Sequence, residues 1–153
     1  MQNTKENMVS FLALFIGFVV TAMLLLPVLS VADSDTSFLG YEVVFGTEFA
    51  NVSTFASGEI VFSFLALVAF LSPLAAGIVA AFTKQSMLIS SILFALGAVL
   101  LFMLPIYTTA TMTVFDTVTE IDIDWTYSFG LVIAAVLATL GSVISLSMVV
   151  YKK

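Results

Sequence analysis

Four long segments without a charged side chain constrain this chain more than any other feature of its sequence. They are residues 8–31, 60–83, 87–108 and 127–151, and none contains Asp, Glu, Lys or Arg. A helix needs about 20 residues to cross the roughly 30 Å hydrocarbon core of a bilayer, so each segment is long enough to span it. Because lipid offers the backbone no hydrogen-bond partner, such segments fold as helices. The predicted fold is therefore an all-α membrane protein with a four-transmembrane-helix bundle.

The composition excludes an ordinary soluble domain. Of the 153 residues, 61% are hydrophobic and only 9% are charged, whereas a soluble domain carries roughly a quarter charged residues. This length allows one domain. Residues 1–153 therefore form a single predicted integral membrane domain, in which loops 32–59 and 109–126 join the helices on one side of the membrane.

The ionisable residues exclude several classes of function. The formal net charge is −6, with four Lys and no Arg, whereas nucleic-acid binding needs clustered basic residues. Cys and His are absent, which excludes disulfides, thiolate chemistry, haem ligation and conventional zinc sites. We predict no catalytic residue, no cofactor and no enzymatic activity, and we expect no nucleic-acid partner.

The lysines predict the orientation in the membrane. Lys5 precedes the first segment, Lys84 joins the second to the third, and Lys152 and Lys153 follow the fourth. Four helices place these positions on one side, which is cytoplasmic by the positive-inside rule. Nine of the ten acidic residues fall in the two loops on the other side. We therefore expect a multi-pass plasma-membrane protein with both termini in the cytoplasm.

A secretory signal peptide is the competing interpretation of the first segment. Ser30, Val31 and Ala32 resemble a cleavage site with small residues at alternate positions. The apolar run before them is about twice as long as the apolar region of a signal peptide. We expect the segment to be retained, and cleavage would leave the rest of the topology unchanged.

Both outer loops carry β-strand patterns. In the stretch FLGYEVVFG, residues 38–46, Tyr41, Val43 and Phe45 alternate with Glu42 and Val44. Glycines bracket this alternating run. In the second loop the apolar residues that alternate with acids are Ile121, Ile123 and Trp125. Apolar positions change from even to odd numbers between Val118 and Ile121, which predicts a reversal or a bulge there.

One small antiparallel sheet built from both loops accounts for these patterns, because an isolated hairpin is only marginally stable in water. We predict that this extracellular β-cap rests its apolar face on the helix ends or on a partner. The residues of that face, which form the candidate interaction surface, are Tyr41, Val43, Phe45, Ile121, Ile123 and Trp125.

Four spans, both termini inside, a longer first outer loop and β-structure in both outer loops resemble the claudin-type tetraspan plan. That family's Trp-Gly-Leu-Trp and paired-cysteine signature is absent from the first loop, so this resemblance implies topology alone. The stretch GYEVVFG after the first span is also similar to small four-span membrane proteins of low-GC bacteria. The second resemblance covers the whole chain in pattern, and it implies architecture without an activity.

Three alternating acids form the one candidate metal site. Glu120, Asp122 and Asp124 project from one face of a predicted strand, and Ca²⁺ takes oxygen ligands of this kind. No EF-hand spacing surrounds them. The preferred interpretation is a solvated face opposite the apolar side chains, so we predict no metal ligand.

Small residues at fourfold spacing mark helix packing, because they let helices approach closely where lipid provides no hydrophobic driving force. The predicted packing residues are Ser72, Ala76, Gly77, Ala80, Ala134, Ala138, Gly141 and Ser142. Such rows serve either the bundle's own core, which we favour with four helices to pack, or a homodimer.

The uncharged membrane segments favour a non-catalytic role over transport, since ionisable residues within a membrane are the usual sign of an ion pathway. We expect a structural or interaction subunit in contact with membrane lipid. It would assemble with itself as a homo-oligomer or with a larger membrane-protein partner. The alternative is a channel-like or transport-accessory oligomer with a pore lined by Ser, Thr and backbone groups.

Overall fold

The computed structural model describes residues 2–52, 56–82 and 87–151. Lys84, Lys152 and Lys153, on which the predicted orientation depends, lie outside the described residues. The long helices in the described part of the chain are α1 (Gln2–Ala22), α3 (Phe64–Phe82), α4 (Met87–Phe102) and α6 (Phe129–Tyr151). Shorter helical segments are a 3-10 turn (Met23–Leu25), α2 (Gly40–Phe45) and α5 (Leu104–Tyr107).

The long helices pack side by side around an apolar core. Helix α1 packs on α3, α3 on α4, α4 on α6, and α6 on α1. Helix α1 leads into the strands at its last residues, and α6 follows the strands at its first. The first residue of α1, Gln2, and the last residue of α6, Tyr151, therefore lie at the helix ends away from the strands.

Strands from the two predicted loops pair with one another in two antiparallel sheets. The strands are β1 (Pro27–Val31), β2 (Ser37–Leu39), β3 (Thr47–Val52), β4 (Ala56–Ile60), β5 (Ala110–Val114), β6 (Thr117–Ile121) and β7 (Trp125–Tyr127). Three form one sheet in the order β2-β1-β7, and four form the other in the order β3-β4-β5-β6. Each sheet thus combines strands from both halves of the chain.

The predicted all-α, four-transmembrane-helix fold is wrong. In the described residues the chain combines helices with two sheets, and three helical stretches are long and apolar enough to cross a membrane. These are Asn7–Leu25, Phe64–Phe82 and Phe129–Val150, whereas the apolar helix Met87–Phe102 is shorter. The predicted segments were too long at the ends that meet the sheets, since hydropathy does not separate a buried strand from a helix.

Two prolines explain where two of the predicted segments were overextended. Pro27 opens β1, so residues up to Val31 form a strand whose Val28 and Leu29 are fully buried. Pro105 lies at the start of α5, where it has no N–H to continue the hydrogen bonding of α4. The predicted helix over 87–108 is therefore interrupted at Met103.

The stretch around Tyr41 is a helix, which corrects the predicted strand. Residues Gly40–Phe45 form α2, and the Glu42 carboxylate accepts a hydrogen bond of 2.8 Å from the Leu39 N–H at its start. A Glu at the third helical position stabilises a helix N-terminus in this way. Gly46 ends the helix with φ +86°, a conformation that favours glycine.

Helices α1 and α3 approach so closely that their backbones touch. A Cβ atom added at Gly17 would lie 2.5 Å from the Pro73 carbonyl oxygen, and one added at Gly77 would lie 2.8 Å from the Ala13 carbonyl oxygen. Farther along the same contact, the Thr21 hydroxyl donates to the Phe70 carbonyl at 3.1 Å. Small residues permit this approach, and no larger side chain fits at the two glycines.

Helices α4 and α6 are joined by serine hydroxyls. Ser91 Oγ donates to the Ser142 carbonyl, and Ser142 Oγ donates to the Ser91 carbonyl, each at 3.0 Å. The neighbouring Ser90 Oγ donates to the Ala76 carbonyl of α3 and lies 3.3 Å from Ser145 Oγ, one turn beyond Ser142. The hydroxyls of Ser90, Ser91 and Ser142 thus each donate a hydrogen bond to a backbone carbonyl of a neighbouring helix.

The predicted packing residues lie in these contacts. Buried residues on α3 are Ser72, Ala76, Gly77 and Ala80, and buried residues on α6 are Ala134, Ala138 and Gly141. Ser142 is half-buried and makes the hydrogen bonds described above. The small-residue rows therefore face neighbouring helices of the same chain.

Candidate interaction surface

Three aromatic rings connect the two sheets. Phe38 of β2 packs edge-on against Trp125 of β7, with ring centroids 5.7 Å apart, and against Phe49 of β3 at 6.1 Å. The register of β3 shifts between Glu48 and Ala50, and this bulge contains Phe49. The Trp125 indole N–H donates to the Thr108 carbonyl at 3.1 Å. We call Phe38, Phe49 and Trp125 the aromatic junction.

The six predicted cap residues do not form one sheet face. Val43 is fully buried on α2, while Tyr41 and Phe45 of the same helix are exposed. Ile121 ends β6 in the four-stranded sheet, and Trp125 begins β7 in the three-stranded sheet. Ile123 lies between them and is half-buried. The predicted single run of three alternating residues is therefore divided between two sheets.

Strands β5 and β6 form a hairpin with a two-residue turn. Val114 pairs with Thr117, and the two residues between them, Phe115 and Asp116, have φ values of 46° and 64°. Two consecutive positive φ values are characteristic of the type I′ turn, whose twist matches that of paired strands. The reversal predicted between Val118 and Ile121 is thus at Phe115 and Asp116, ahead of β6.

The register shows which backbone groups of β6 point away from the sheet. A two-residue turn closes on a hydrogen-bonded pair, here Val114 and Thr117, and such pairs alternate with non-bonded ones. The N–H and C=O groups of Val118 and Glu120 therefore point outward. Among the described strands, β6 pairs with β5 alone. We call this row the β6 edge.

The tip of the hairpin is apolar. Phe115 is 72% exposed, Val118 is 65% exposed and Val114 is also exposed. A bulky residue at positive φ is uncommon, because its Cβ crowds the backbone in that conformation. The turn therefore keeps a largely exposed aromatic residue in a backbone conformation that costs about 1–3 kcal/mol.

Acidic side chains surround the hairpin. Glu120, Asp122 and Asp124 are exposed, as are Asp116 in the turn and Glu59 on β4. Among the described residues, no group of three or more Asp and Glu side chains is arranged to hold a metal ion. These carboxylates give this end of the protein a strongly negative surface.

The type I′ turn and the aromatic junction, which define this surface, could not be predicted from local sequence patterns. Type I′ turns usually carry Asn-Gly or Asp-Gly, so the Phe-Asp pair in the turn did not suggest a hairpin. Phe38 opens the stretch 38–46 and Phe49 follows it, and neither was a predicted interaction residue. Their contact depends on the β3 bulge, which no local pattern announces.

Comparison with known proteins identifies no relative. No protein-family model matches the chain, and no curated protein or solved structure matches it.

Proposed function

We propose that this chain is a non-catalytic, membrane-embedded structural or interaction subunit whose sheet-bearing end binds another protein. The observation that carries the proposal is the β6 edge beside an exposed apolar tip. An edge strand offers a row of backbone donors and acceptors to another chain. Exposed apolar patches rimmed by polar residues are typical of protein-binding surfaces.

Membrane embedding is supported by the three helical stretches that are long and apolar enough to cross a bilayer. Their outward side chains are large and apolar, as Phe11, Phe15 and Phe18 of α1 illustrate. In the sequence, Lys5 lies near the start of α1, Lys84 lies between α3 and α4, and Lys152 and Lys153 follow α6. The described residues Phe82, Met87 and Tyr151, which these lysines follow or precede in the sequence, are at the helix ends away from the sheets. We therefore place that end, with both termini, in the cytoplasm and the sheets outside the plasma membrane.

Labelling tests this orientation. Cysteines introduced at the exposed positions Thr36 and Thr119 should react with an impermeant thiol reagent in intact cells. The chain has no native Cys to compete with them. Labelling only after the cells are opened would place the sheets in the cytoplasm.

The serine contacts favour this role over a channel-like or transport-accessory oligomer. Ser91 and Ser142 bond to each other's carbonyls, so their hydroxyls stabilise helix packing instead of lining a water path. Reconstituted vesicles should therefore show no ion conductance above that of empty vesicles. A reproducible conductance would support the alternative.

Site-specific photo-crosslinking tests the proposed role. A photoreactive residue at Val118 in native membranes should give a protein adduct of discrete mass, either with a second copy or with a membrane-protein partner. The same residue at Val132, which is exposed on α6, is the control and should react with lipid. Lipid adducts or none at Val118 would overturn the proposal.

A further inference from the structure

We propose that the β6 edge accepts an extended, cationic segment of a partner protein as an additional strand. This inference rests on the proposed function and specifies the chemistry of the partner. Pairing of a peptide with a sheet edge takes its affinity from main-chain hydrogen bonds and its specificity from alternate side chains.

The hydrogen-bonding groups are already in place. The outward N–H and C=O groups of Val118 and Glu120 belong to one short strand whose other side is paired with β5. These two residues are two positions apart, which is the spacing at which an added strand forms successive hydrogen bonds. Four outward groups are therefore positioned for a partner backbone without any rearrangement of the hairpin.

The side chains specify what the partner strand carries. Val118 and Glu120 project from the same face of β6, because alternate residues of a strand share a face. Opposite Glu120, the most stabilising partner residue is Lys or Arg, because its charge is opposite. Opposite the exposed Val118, the most stabilising partner residue is apolar. The preferred segment therefore has a basic and an apolar residue two positions apart.

Charge complementarity favours a cationic partner over a second copy of this chain. Besides Glu120, the exposed acids Asp116 and Asp122 lie next to the two ends of β6, and Glu59 lies on the same face of the sheet beyond Thr111. The sequence has no Lys or Arg between residues 6 and 83 or between residues 85 and 151. Two copies paired through β6 would bring only carboxylates together.

The inference is tested with the full chain in nanodiscs of zwitterionic lipid. The probe is a fluorescent peptide of about ten residues that alternates Thr with Lys or Val. Two control peptides accompany it: one has Glu in place of every Lys, and the other is N-methylated at alternate amides. We expect the Lys peptide to bind, and both controls to bind about tenfold more weakly or not at all.

Three variants locate the binding on β6. Val118→Pro removes one outward N–H and should weaken Lys-peptide binding about tenfold, whereas Val118→Thr keeps that N–H and should bind normally. Glu120→Lys should weaken binding of the Lys peptide and strengthen binding of the Glu peptide, whereas Thr119→Lys, on the opposite face of β6, should change this preference less. If Val118→Pro does not fold, the N-methylated peptide makes the same comparison on the unaltered chain.

Several results would overturn the inference. Equal binding of the N-methylated and unmodified Lys peptides would show attraction by charge without strand pairing. A dimer that Val118→Pro dissociates would show that β6 binds a second copy. A discrete crosslink at Val118 to a membrane protein, combined with no binding of the Lys peptide, would support the proposed function. The same result would contradict the inference that the partner segment is cationic.

Discussion

Phe38 and Trp125 meet edge-to-face, with their ring planes 79° apart, although they lie 87 positions apart in the sequence. This contact connects strands from the two halves of the chain within the three-stranded sheet. Through Phe49, it also reaches the four-stranded sheet. The aromatic junction therefore holds the two sheets in one arrangement.

Truncation of the aromatic junction should cost more stability than a change in its hydrogen bonding. Trp125→Phe keeps a ring against Phe38 but loses the bond to the Thr108 carbonyl, and we expect a loss of about 1 kcal/mol. Trp125→Ala removes the ring as well and should cost about 3–5 kcal/mol. Thermal unfolding in detergent, followed by circular dichroism, measures both. Val118→Ala on the exposed strand β6 is the control, and an equal loss there would contradict this role of the junction.

Helices α1 and α3 should not tolerate a side chain at their closest approach. A methyl group at Gly77 would meet the backbone of Ala13 and Leu14, which cannot move aside as a side chain can. We expect Gly77→Ala to destabilise the protein by about 1–3 kcal/mol through overpacking. Ala75→Leu, at an exposed position of the same helix, should change stability little. Equal thermal stabilities for the two variants would show that the helices separate without cost.

The reciprocal serine bonds between α4 and α6 should be measurable one at a time. Ser91→Ala and Ser142→Ala each remove one hydroxyl donor, and hydrogen bonds between membrane helices are worth about 0.6 kcal/mol on average. We expect comparable losses in the free energy of unfolding for each single variant and a larger loss for the double variant. Ser147→Ala is the control, because Ser147 bonds only to Ile144 of its own helix. No loss in either single variant would contradict the packing role of the hydroxyls.

The pairing of Glu48 with Glu59 should destabilise the four-stranded sheet. These two exposed carboxylates lie directly opposite each other on β3 and β4. Like charges in that position repel, so Glu59→Gln should raise stability by about 0.2–1 kcal/mol at low salt. The gain should shrink at high salt, because ions screen exposed charges. Glu120→Gln is the control, since Glu120 faces Thr111. A gain that does not depend on salt would point to a cause other than charge repulsion.

Hydropathy predicted where apolar helices occur, but it did not predict their ends or the sheets between them. Val28 and Leu29 are as buried as any helix residue, so their hydrophobicity alone could not identify β1. The alternation around Tyr41 predicted a strand, whereas the Glu42 cap and Gly46 stabilise a short helix. These outcomes depend on single hydrogen bonds and on backbone conformation, to which a periodicity argument is insensitive.

The candidate surface was predicted in part. Both loops do contribute strands that pair with each other, and the acids of the second loop are exposed. The division into two sheets was not predicted, because it depends on pairings between distant residues, such as Leu29 with Tyr127. The β6 edge follows from the strand order, which no local pattern encodes.

Each sheet combines strands from both halves of the chain, so neither sheet can be completed until the second half has been synthesised. Strand β4 pairs with β5 and β1 pairs with β7, so the earlier strands emerge before their partners exist. Between them the ribosome must produce α3 and α4. A nascent chain that ends before Ala110 can form only the pairs of β1 with β2 and of β3 with β4, so we expect protease to cut these strands until the chain extends past Tyr127. Synthesis of α3 and α4 thus sets the time at which both sheets can be completed.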